Sequence, residues 1–166
     1  YIAEQTAYHH GETSLQGTII GLAQNFVGSN NVNLLEPSGQ FGTRLMGGKD
    51  AASPRYIFTR LAEKTRKLFD VRDEAILKYV SEDGQTVEPV HYLPIVPMVL
   101  VNGAEGIGTG FSSYVPPYNP KTVIKNIVHA LRGEAMEAMK PYFRGFTGTV
   151  EKTGEHTWTL TGTFER

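Results

Sequence analysis

Residues 39–56 read GQFGTRLMGGKDAASPRY, and this glycine-rich, cationic stretch organises the rest of the chain. Its glycines let the backbone turn through positive φ and approach a ligand closely. Its cations, Arg44, Lys49 and Arg55, favour an anionic partner such as phosphate. The stretch ends on Arg55 and Tyr56, and a tyrosine hydroxyl beside an arginine and a phosphate can act as a nucleophile. From these residues alone, a surface loop with an ordinary half-buried tyrosine remains the alternative.

The composition is that of a globular chain without a strong overall charge. Its 166 residues suffice for one large or two small domains, and a hydrophobic content of 40% argues against wholesale disorder. The net charge of −1 gives no indication of nucleic acid, so any DNA binding has to come from local clusters of cations. No cysteine is available for disulfides or metal ligation, and no apolar run reaches the roughly 18–20 residues that a membrane span needs. The first residues carry neither an initiator methionine nor a signal-peptide pattern, so we expect an internal piece of a larger polypeptide.

Several blocks, in one consistent order, resemble a known family. They are YHHGE at 8–12, LAQNFVGSNN at 22–31, NLLEPSGQ at 33–40, GQFGTR at 39–44, GGKDAASPRYI at 47–57 and PMVLVNGAEGIGTGFS at 97–112. Together they resemble the DNA breakage–reunion core of eukaryotic-type (type IIA) DNA topoisomerase II, over about residues 8–150. Bacterial gyrase A has the same general pattern of motifs, but the SPRYI and NGAEGIGTG blocks have the eukaryotic or large-DNA-virus form.

The resemblance implies an α+β fold in two parts. A winged helix-turn-helix domain that carries the tyrosine is expected over residues 1–90, and the N-terminal part of a mixed α/β tower domain over residues 91–166. The local patterns agree with this division. Apolar residues at helical spacing predict an amphipathic helix over residues 14–26, and a loop and a short extended run follow it. Three prolines at 89, 94 and 97 predict a boundary near residue 90.

Two segments need a choice between helix and strand. Residues 55–61, RYIFTRL, alternate aromatic and β-branched side chains, which predicts a short strand, although Ser53 and Pro54 could instead start a helix. Residues 97–102 read as an apolar strand that runs into a glycine-rich segment. The remaining predicted elements are a basic helix after Leu61, a hairpin over residues 75–88 that turns at Asp83 and Gly84, a helix capped by Asn119, and a hairpin over residues 150–164.

The expected catalytic residues are Tyr56, Arg55, His9 and His10. A tyrosine hydroxyl has an ordinary pKa of about 10, so its attack on phosphorus needs help. Arg55 can stabilise charge on the phosphate, and a nearby histidine can take the proton. Adjacent histidines cannot both face one ion from a regular element, so a metal site here is not predicted. The resemblance implies that His9 or His10 contacts the scissile phosphate or steers a proton, and a structural, hydrogen-bonded histidine is the alternative.

The expected DNA contacts come from the glycine-rich stretch and from one isoleucine. The resemblance implies contacts from Arg44, Lys49, Gln40 and Gly42, and phosphate contacts position a duplex without reading its sequence. Ile107 is a β-branched residue between two glycines, and core packing is its simplest interpretation. The resemblance instead implies that Ile107 is a wedge that enters a base step and bends the DNA. Such bending costs about 1–6 kcal/mol, which the added phosphate contacts offset.

The implied activity is that of an ATP-dependent type II DNA topoisomerase that acts as a homodimer on double-stranded DNA. Tyr56 would attack a phosphodiester and form a transient 5′-phosphotyrosyl double-strand break for duplex passage. The sequence shows no clustered carboxylates of the kind that metal-assisted phosphoryl chemistry uses. The resemblance implies that Mg²⁺ and ATP bind outside this chain, in an acidic metal-binding domain and an ATPase domain of the same polypeptide. The chain alone is expected to be inactive. The resemblance implies a nuclear location, or a cytoplasmic viral factory if the source is a virus.

Two alternatives stay open. The first is a gyrase A-type subunit, which performs the same chemistry within a heterotetramer. The second is a non-catalytic winged-helix module that binds DNA or serves as a scaffold. The eukaryotic form of the motifs argues against the first, and the intact pair of Arg55 and Tyr56 argues against the second.

Overall fold

The computed structural model describes residues 1–82 and 84–165, and these residues pack as two compact units. The first unit comprises Tyr1–Gln24, Asn33–Thr43 and Gly48–Ile95, and the second comprises Asn25–Val32, Arg44–Gly47 and Val96–Arg166. Each unit combines helices with two-stranded antiparallel sheets. The predicted α+β class is therefore confirmed.

The first unit is built from short helices and two antiparallel strand pairs. Its helical elements are α1 (Ile2–Gln5), α2 (Glu12–Ala23), α3 (Thr65–Leu68) and two 3₁₀-helices, Pro54–Tyr56 and Val71–Ile76. Its strands are β1 (Leu35–Ser38) paired with β2 (Phe58–Leu61), and β3 (Tyr79–Glu82) paired with β4 (Gln85–Pro89). The predicted hairpin over residues 75–88 is thus present as β3 and β4, while Asp83 of its turn lies outside the described residues.

Leu34 joins the main elements of the first unit. Its amide donates to the Leu22 carbonyl at the end of α2 over 3.1 Å, and its carbonyl accepts from the amide of Ala62 over 3.0 Å. The Thr65 hydroxyl at the start of α3 donates to the same carbonyl. The small core contains Ala23, Phe41 and Ala62, all buried. Helix α2, the β1–β2 sheet and α3 are therefore held together around a single backbone position.

The prediction of a strand over residues 55–61 is wrong at its start. Pro54–Tyr56 forms a 3₁₀-turn, in which the Tyr56 amide donates to the Ser53 carbonyl over 2.9 Å, and the strand begins only at Phe58. The fixed φ of Pro54 favours a helical turn, which overrides the β-propensity of the residues after it. The residues Pro37, Ser38 and Gly39 also predict a turn, but Pro37 and Ser38 form the end of β1.

Helix boundaries in the first unit differ from the predicted ones. Helix α2 begins at Glu12, after Gly11 at φ 85°, and ends at Ala23 rather than at residue 26. Neither Thr13 nor Ser14 caps it, because both lie inside its first turn. The basic helix after Leu61 is a single turn, α3.

The second unit contains two helices and two hairpins. Its elements are α4 (Met98–Asn102), β5 (Ala104–Gly108) paired with β6 (Phe111–Val115), α5 (Pro120–Leu131), and β7 (Thr149–Lys152) paired with β8 (Trp158–Thr161). The predicted hairpin over residues 150–164 is confirmed as β7 and β8. The helix at Asn119 is also confirmed, because the Asn119 side chain accepts from the Lys121 amide over 3.0 Å.

Two predictions for the second unit are wrong. Residues 98–102 form helix α4 rather than a strand, since a five-residue apolar run does not distinguish the two states, and Val101 is buried as part of that helix. The spacing of Ile124, Ile127, Val128 and Leu131 also predicts an apolar stripe on α5. In the structure Val123 and Asn126 are buried and Ile127 is partly buried, whereas Ile124, Val128 and Leu131 are exposed.

Candidate active site and nucleic-acid interface

Tyr56 is held outward on a short turn between α2 and the β1–β2 sheet. Its side chain is 68% exposed, and its hydroxyl has no hydrogen-bond partner among the described residues. Below the turn, Pro54 and Ile57 line a shallow pocket of about 290 Å³ together with Ile19 and Ile20 of α2. The turn is therefore anchored by apolar side chains, while the tyrosine oxygen is left accessible. The alternative of a half-buried tyrosine does not hold.

Arg55 lies against the tyrosine that follows it. Its guanidinium carbon is 4.9 Å from the centroid of the Tyr56 ring, a cation–π arrangement. Within residues 1–82 and 84–165, no acidic side chain forms an ion pair with Arg55. A guanidinium without a carboxylate partner keeps its donors available for a phosphate, which it can contact through two parallel hydrogen bonds.

The cations of the first unit fall into two groups. Arg60, Arg66, Lys67 and Arg72 each form an ion pair with an acidic side chain, at distances from 2.6 to 3.0 Å. Lys49, Arg55, Lys64 and Lys78 form none within the part of the chain that the structure describes. The sequence marks all of these positions as basic, but only the structure separates cations whose charge is used internally from those that can receive an anion.

The glycine-rich stretch is closed by its own backbone and by Gln24. Gly42 and Gly48 meet so closely that a Cβ on Gly42 would lie 2.6 Å from the Gly48 Cα. The Gln24 side-chain amide donates to the carbonyls of Phe41 and Gly48, over 2.9 and 3.3 Å. The polar residues Gln24 and Asn25 follow α2 and are candidates to face DNA, but the Gln24 side chain is instead directed at the backbone of the loop.

Asp50 is a structural acid of the same stretch. Its two carboxylate oxygens accept from the Thr43 amide and the Thr43 hydroxyl, each over 2.7 Å. The Thr43 hydroxyl, followed by the Thr43 amide, lowers the pKa of Asp50 below its ordinary value. Asp50 is thus committed to closing the loop and makes no ion pair with Lys49 in the described structure. The pairing of residues 43 and 50 had no signal in the sequence.

The remaining loop residues lie on its surface. The Gln40 side chain accepts from the Gly42 amide over 2.7 Å, and the Gln40 carbonyl accepts from the Ala52 amide over 2.9 Å. Lys49 is exposed. Arg44 is exposed on the turn Arg44–Gly47, which belongs to the second unit, and so is Leu45, at 91%.

Gly42→Ala is expected to lower the free energy of unfolding by about 2–4 kcal/mol, because the new Cβ meets backbone and the φ of 101° is strained for an L-residue. Gly47→Ala is the matched control. Its φ is also positive, at 59°, but a Cβ there meets nothing within 4 Å, so a loss of only about 1 kcal/mol is expected. Urea unfolding of the two variants measures the difference. Equal losses would show that the contact between residues 42 and 48 does not matter.

His9 and His10 are both exposed, and each contacts a different side chain. The His9 Nε2 atom is 3.3 Å from a carboxylate oxygen of Glu82. The His10 ring makes an edge-to-face contact with the Tyr8 ring, with centroids 5.4 Å apart. In the described residues, neither histidine shares a hydrogen bond, an ion pair or a ring contact with Tyr56. Their roles at a scissile phosphate remain predictions.

Ile107 is carried near the tip of the β5–β6 hairpin. It pairs with Ser112 and is 88% exposed, so the interpretation as a core residue is wrong. Every residue of β5 is exposed, and in β6 only Val115 is partly covered. An exposed apolar side chain near the tip of an exposed hairpin is what a wedge between base steps requires.

Metal-ligating clusters and membrane-spanning helices are both absent from the described residues. Residues 1–82 and 84–165 contain no group of three or more His, Asp or Glu side chains arranged to hold a metal ion. The donor set therefore does not fit a metal centre within these residues. None of their helices has the length and apolar character for crossing a membrane.

Comparison with known proteins identifies the class. The family of the A subunits of DNA gyrase and topoisomerase IV matches residues 1–166, so the chain belongs to this family of type II topoisomerases. Within the family, its relatives include the eukaryotic enzymes named DNA topoisomerase 2. The chain is 59% identical to that of Saccharomyces cerevisiae over 166 residues, covering 100% of this chain and 12% of the yeast protein. It is 57% identical to that of Arabidopsis thaliana over 169 residues, covering 99% and 12%.

A solved structure gives the same result. The crystal structure of the Plasmodium falciparum topoisomerase II DNA-binding, cleavage and re-ligation domain matches with a TM-score of 0.94 and 52% identity. The match covers 99% of this chain and 22% of that chain. The predicted resemblance to eukaryotic-type DNA topoisomerase II is confirmed. The chain spans about an eighth of the length of the curated relatives.

Proposed function

We propose that this chain is the tyrosine-bearing DNA-binding and cleavage part of an ATP-dependent type II DNA topoisomerase. One observation carries the proposal. Tyr56 presents an accessible hydroxyl on an anchored turn, beside an Arg55 guanidinium that has no acidic partner among the described residues. Such a pair combines an oxygen nucleophile with a group that stabilises charge on a phosphate. Membership of the topoisomerase family supports assigning that pair to DNA cleavage.

The reaction is an exchange of phosphodiester bonds. The Tyr56 oxygen attacks a DNA phosphorus in line with the 3′ oxygen, so that the O–P bond to tyrosine forms as the bond from phosphorus to that oxygen breaks. The phenolic proton passes to a base, and the departing 3′ oxygen takes up a proton. The product is a 5′-phosphotyrosyl link that retains the bond energy. Attack by the 3′ hydroxyl reverses each step and reseals the strand without another reactant.

His9 and His10 are the proposed proton carriers. Their contacts with Glu82 and with the Tyr8 ring hold them on the surface of the same unit as Tyr56. Neither contacts the tyrosine directly, so the bound phosphodiester would have to connect them. Apo geometry of this kind is common where hydrogen bonds tighten only around the substrate.

The proposed DNA contacts are Lys49, Gln40 and Gly42 in the first unit and Arg44 and Ile107 in the second. Lys49 and Arg44 are exposed and form no ion pair among the described residues, which suits contact with phosphates. Gln40 and Gly42 bond to each other and shape the loop beside them. Ile107 is proposed as the apolar wedge that unstacks a base step.

We further propose the arrangement of the complete enzyme. Residues 1–90 would be a winged-helix domain and residues 91–166 the N-terminal part of a tower domain. Two copies of the polypeptide would cut the two strands of one duplex, each with its own tyrosine. Mg²⁺ and ATP would be held by an acidic domain and an ATPase domain elsewhere in that polypeptide, as the resemblance to type II topoisomerases implies. The proposed location is the nucleus, or a viral factory in the cytoplasm.

The test traps the covalent intermediate and identifies the linked residue. The whole polypeptide that carries this chain is incubated with supercoiled plasmid and Mg²⁺, stopped with detergent, and digested with nuclease and protease. Mass spectrometry should find a nucleotide joined through its 5′ phosphate to the peptide that contains Tyr56. An adduct on a different tyrosine would contradict the assignment. DNA binding without any adduct would favour the non-catalytic scaffold instead.

A further inference from the structure

The orientation of the β5–β6 hairpin is not set by contacts along its strands. Its strands are exposed along almost their whole length, and an isolated two-stranded hairpin has little stability of its own. Its orientation must therefore be set where the chain enters β5 and where it leaves β6. Those two points contain Val101, Asn102 and Gly103 on one side and Val115–Tyr118 on the other.

Asn31 is a buried amide at this base. It is 4% exposed, and its side-chain nitrogen lies 2.9, 3.2 and 2.9 Å from the carbonyl oxygens of Val101, Tyr118 and Tyr142, which share its two N–H donors. Its side-chain oxygen accepts from the Arg144 amide at 2.8 Å. One side chain thus joins the residues before β5 and after β6 to a third segment of the second unit. No hydrophobic residue of similar size can supply these bonds.

Asn102 adds a second attachment at the same place. Its oxygen accepts from the Val32 amide and its nitrogen donates to the Val32 carbonyl, both at 2.9 Å. The next residue, Gly103, has φ 77°, and a Cβ there would lie 2.7 Å from the Val115 carbonyl oxygen at the end of β6. The entry and exit of the hairpin are therefore in backbone contact, and both are fixed to residues 31–32.

We propose that Asn31, with Asn102, is a positioning residue for DNA bending, because it fixes the direction in which the hairpin presents Ile107. The inference rests on the proposed wedge role of Ile107 and goes beyond it, since neither asparagine reaches the tip of the hairpin. Without these bonds the hairpin remains paired but its base loosens. A displacement of about 1 Å in a positioned group can cost about 100-fold in rate.

Asn126 provides a matched control in the same unit. It is 6% exposed and exchanges two hydrogen bonds with the backbone of Glu137, at 2.9 and 2.8 Å. It is a buried asparagine of α5 and does not bond to the residues at the hairpin base. Asn126→Ala therefore removes two side-chain hydrogen bonds to backbone, as many as Asn102→Ala removes, and any loss that the two variants share is general destabilisation.

The experiment uses the whole polypeptide and a short duplex that carries a donor and an acceptor fluorophore at its two ends. Energy transfer reports bending, anisotropy reports binding, and detergent trapping reports cleavage. Asn31→Ala and Asn102→Ala should reduce the bent fraction and lower cleavage by about 10–100-fold, beyond any loss in Asn126→Ala. Ile107→Ala, at an exposed position, should lose bending without a change in melting temperature. Asn31→Ala combined with Ile107→Ala should bend no less than Ile107→Ala alone.

Each outcome decides the inference. Bending and cleavage within twofold of Asn126→Ala, in both asparagine variants, would overturn it. If Asn31→Ala does not fold, Asn102→Ala alone decides. If Ile107→Ala bends DNA normally, Ile107 is not the wedge and the positioning role of the two asparagines is also rejected. The adduct at Tyr56 still tests the cleavage function separately.

Discussion

Tyr56→Phe is expected to abolish covalent attachment of the protein to DNA while leaving the fold intact. The change removes one hydroxyl, which has no partner in the described structure, and keeps the ring against which Arg55 lies. Stability should therefore stay within about 0.5 kcal/mol of the wild type. Loss of a covalent nucleophile removes the reaction path itself, so cleavage should fall at least about 10⁴-fold.

The measurement is detergent-trapped protein on labelled 5′ ends, with DNA affinity determined in parallel. Tyr92→Phe is the matched control, because Tyr92 is an exposed tyrosine of the same unit in an edge-to-face contact with Phe69. It should cleave as the wild type does. Covalent attachment in Tyr56→Phe above the level of a protein-free reaction would show that the nucleophile is a different residue.

Arg55→Ala is expected to lower the cleavage rate by about 10²–10³-fold, the usual loss when one donor to a developing anionic charge is removed. Its guanidinium has no acidic partner in the described residues, so its donors are available to the phosphate. Arg55→Lys should recover only part of the rate. A lysine restores the charge but lacks the planar fork that contacts two phosphate oxygens together.

Arg60→Ala separates this effect from a general loss of positive charge. Arg60 is also exposed, but it is paired with Glu36 at 2.6 Å across the β1–β2 sheet. Its removal should change cleavage by less than about threefold, because an exposed pair of this kind contributes at most about 1 kcal/mol. Single-turnover cleavage at fixed ionic strength compares the three variants. An equal loss of cleavage rate in Arg55→Ala and Arg60→Ala would show that both losses come from the removal of a positive charge and not from a specific contact of Arg55 with the phosphate.

Local signals predicted part of this fold well. The Asn–Pro start of α5 and the glycine-containing turns of two hairpins depend on neighbouring residues only, and these elements are present as expected. The family blocks also placed Tyr56 beside Arg55. The prediction failed where two local preferences compete, as at Pro54–Tyr56, and where a short apolar run fits either state, as in α4.

The rest depends on contacts between distant residues. Asn31 bonds to backbone groups that lie 70 to 113 positions further along the chain, and nothing at residue 31 announces them. Likewise, the sequence shows Lys49, Arg55 and Arg60 as equivalent cations, whereas in the structure Arg60 pairs with Glu36 and Arg55 lies against the Tyr56 ring. Sequence reasoning named the chemical groups of the site and could not assign their partners.

The loop that runs from Gly42 to Asp50 also constrains which of its residues can change during evolution. Its shape is fixed by backbone contacts between residues 42 and 48 and by the bonds of Thr43 to Asp50, not by the side chains at its tip. Leu45 and Met46, which are exposed there, can therefore be exchanged at little cost to the loop. Natural variants should differ freely at residues 45 and 46 but keep Gly42 and Gly48. The side chains at the tip can therefore change while the backbone of the loop keeps its shape.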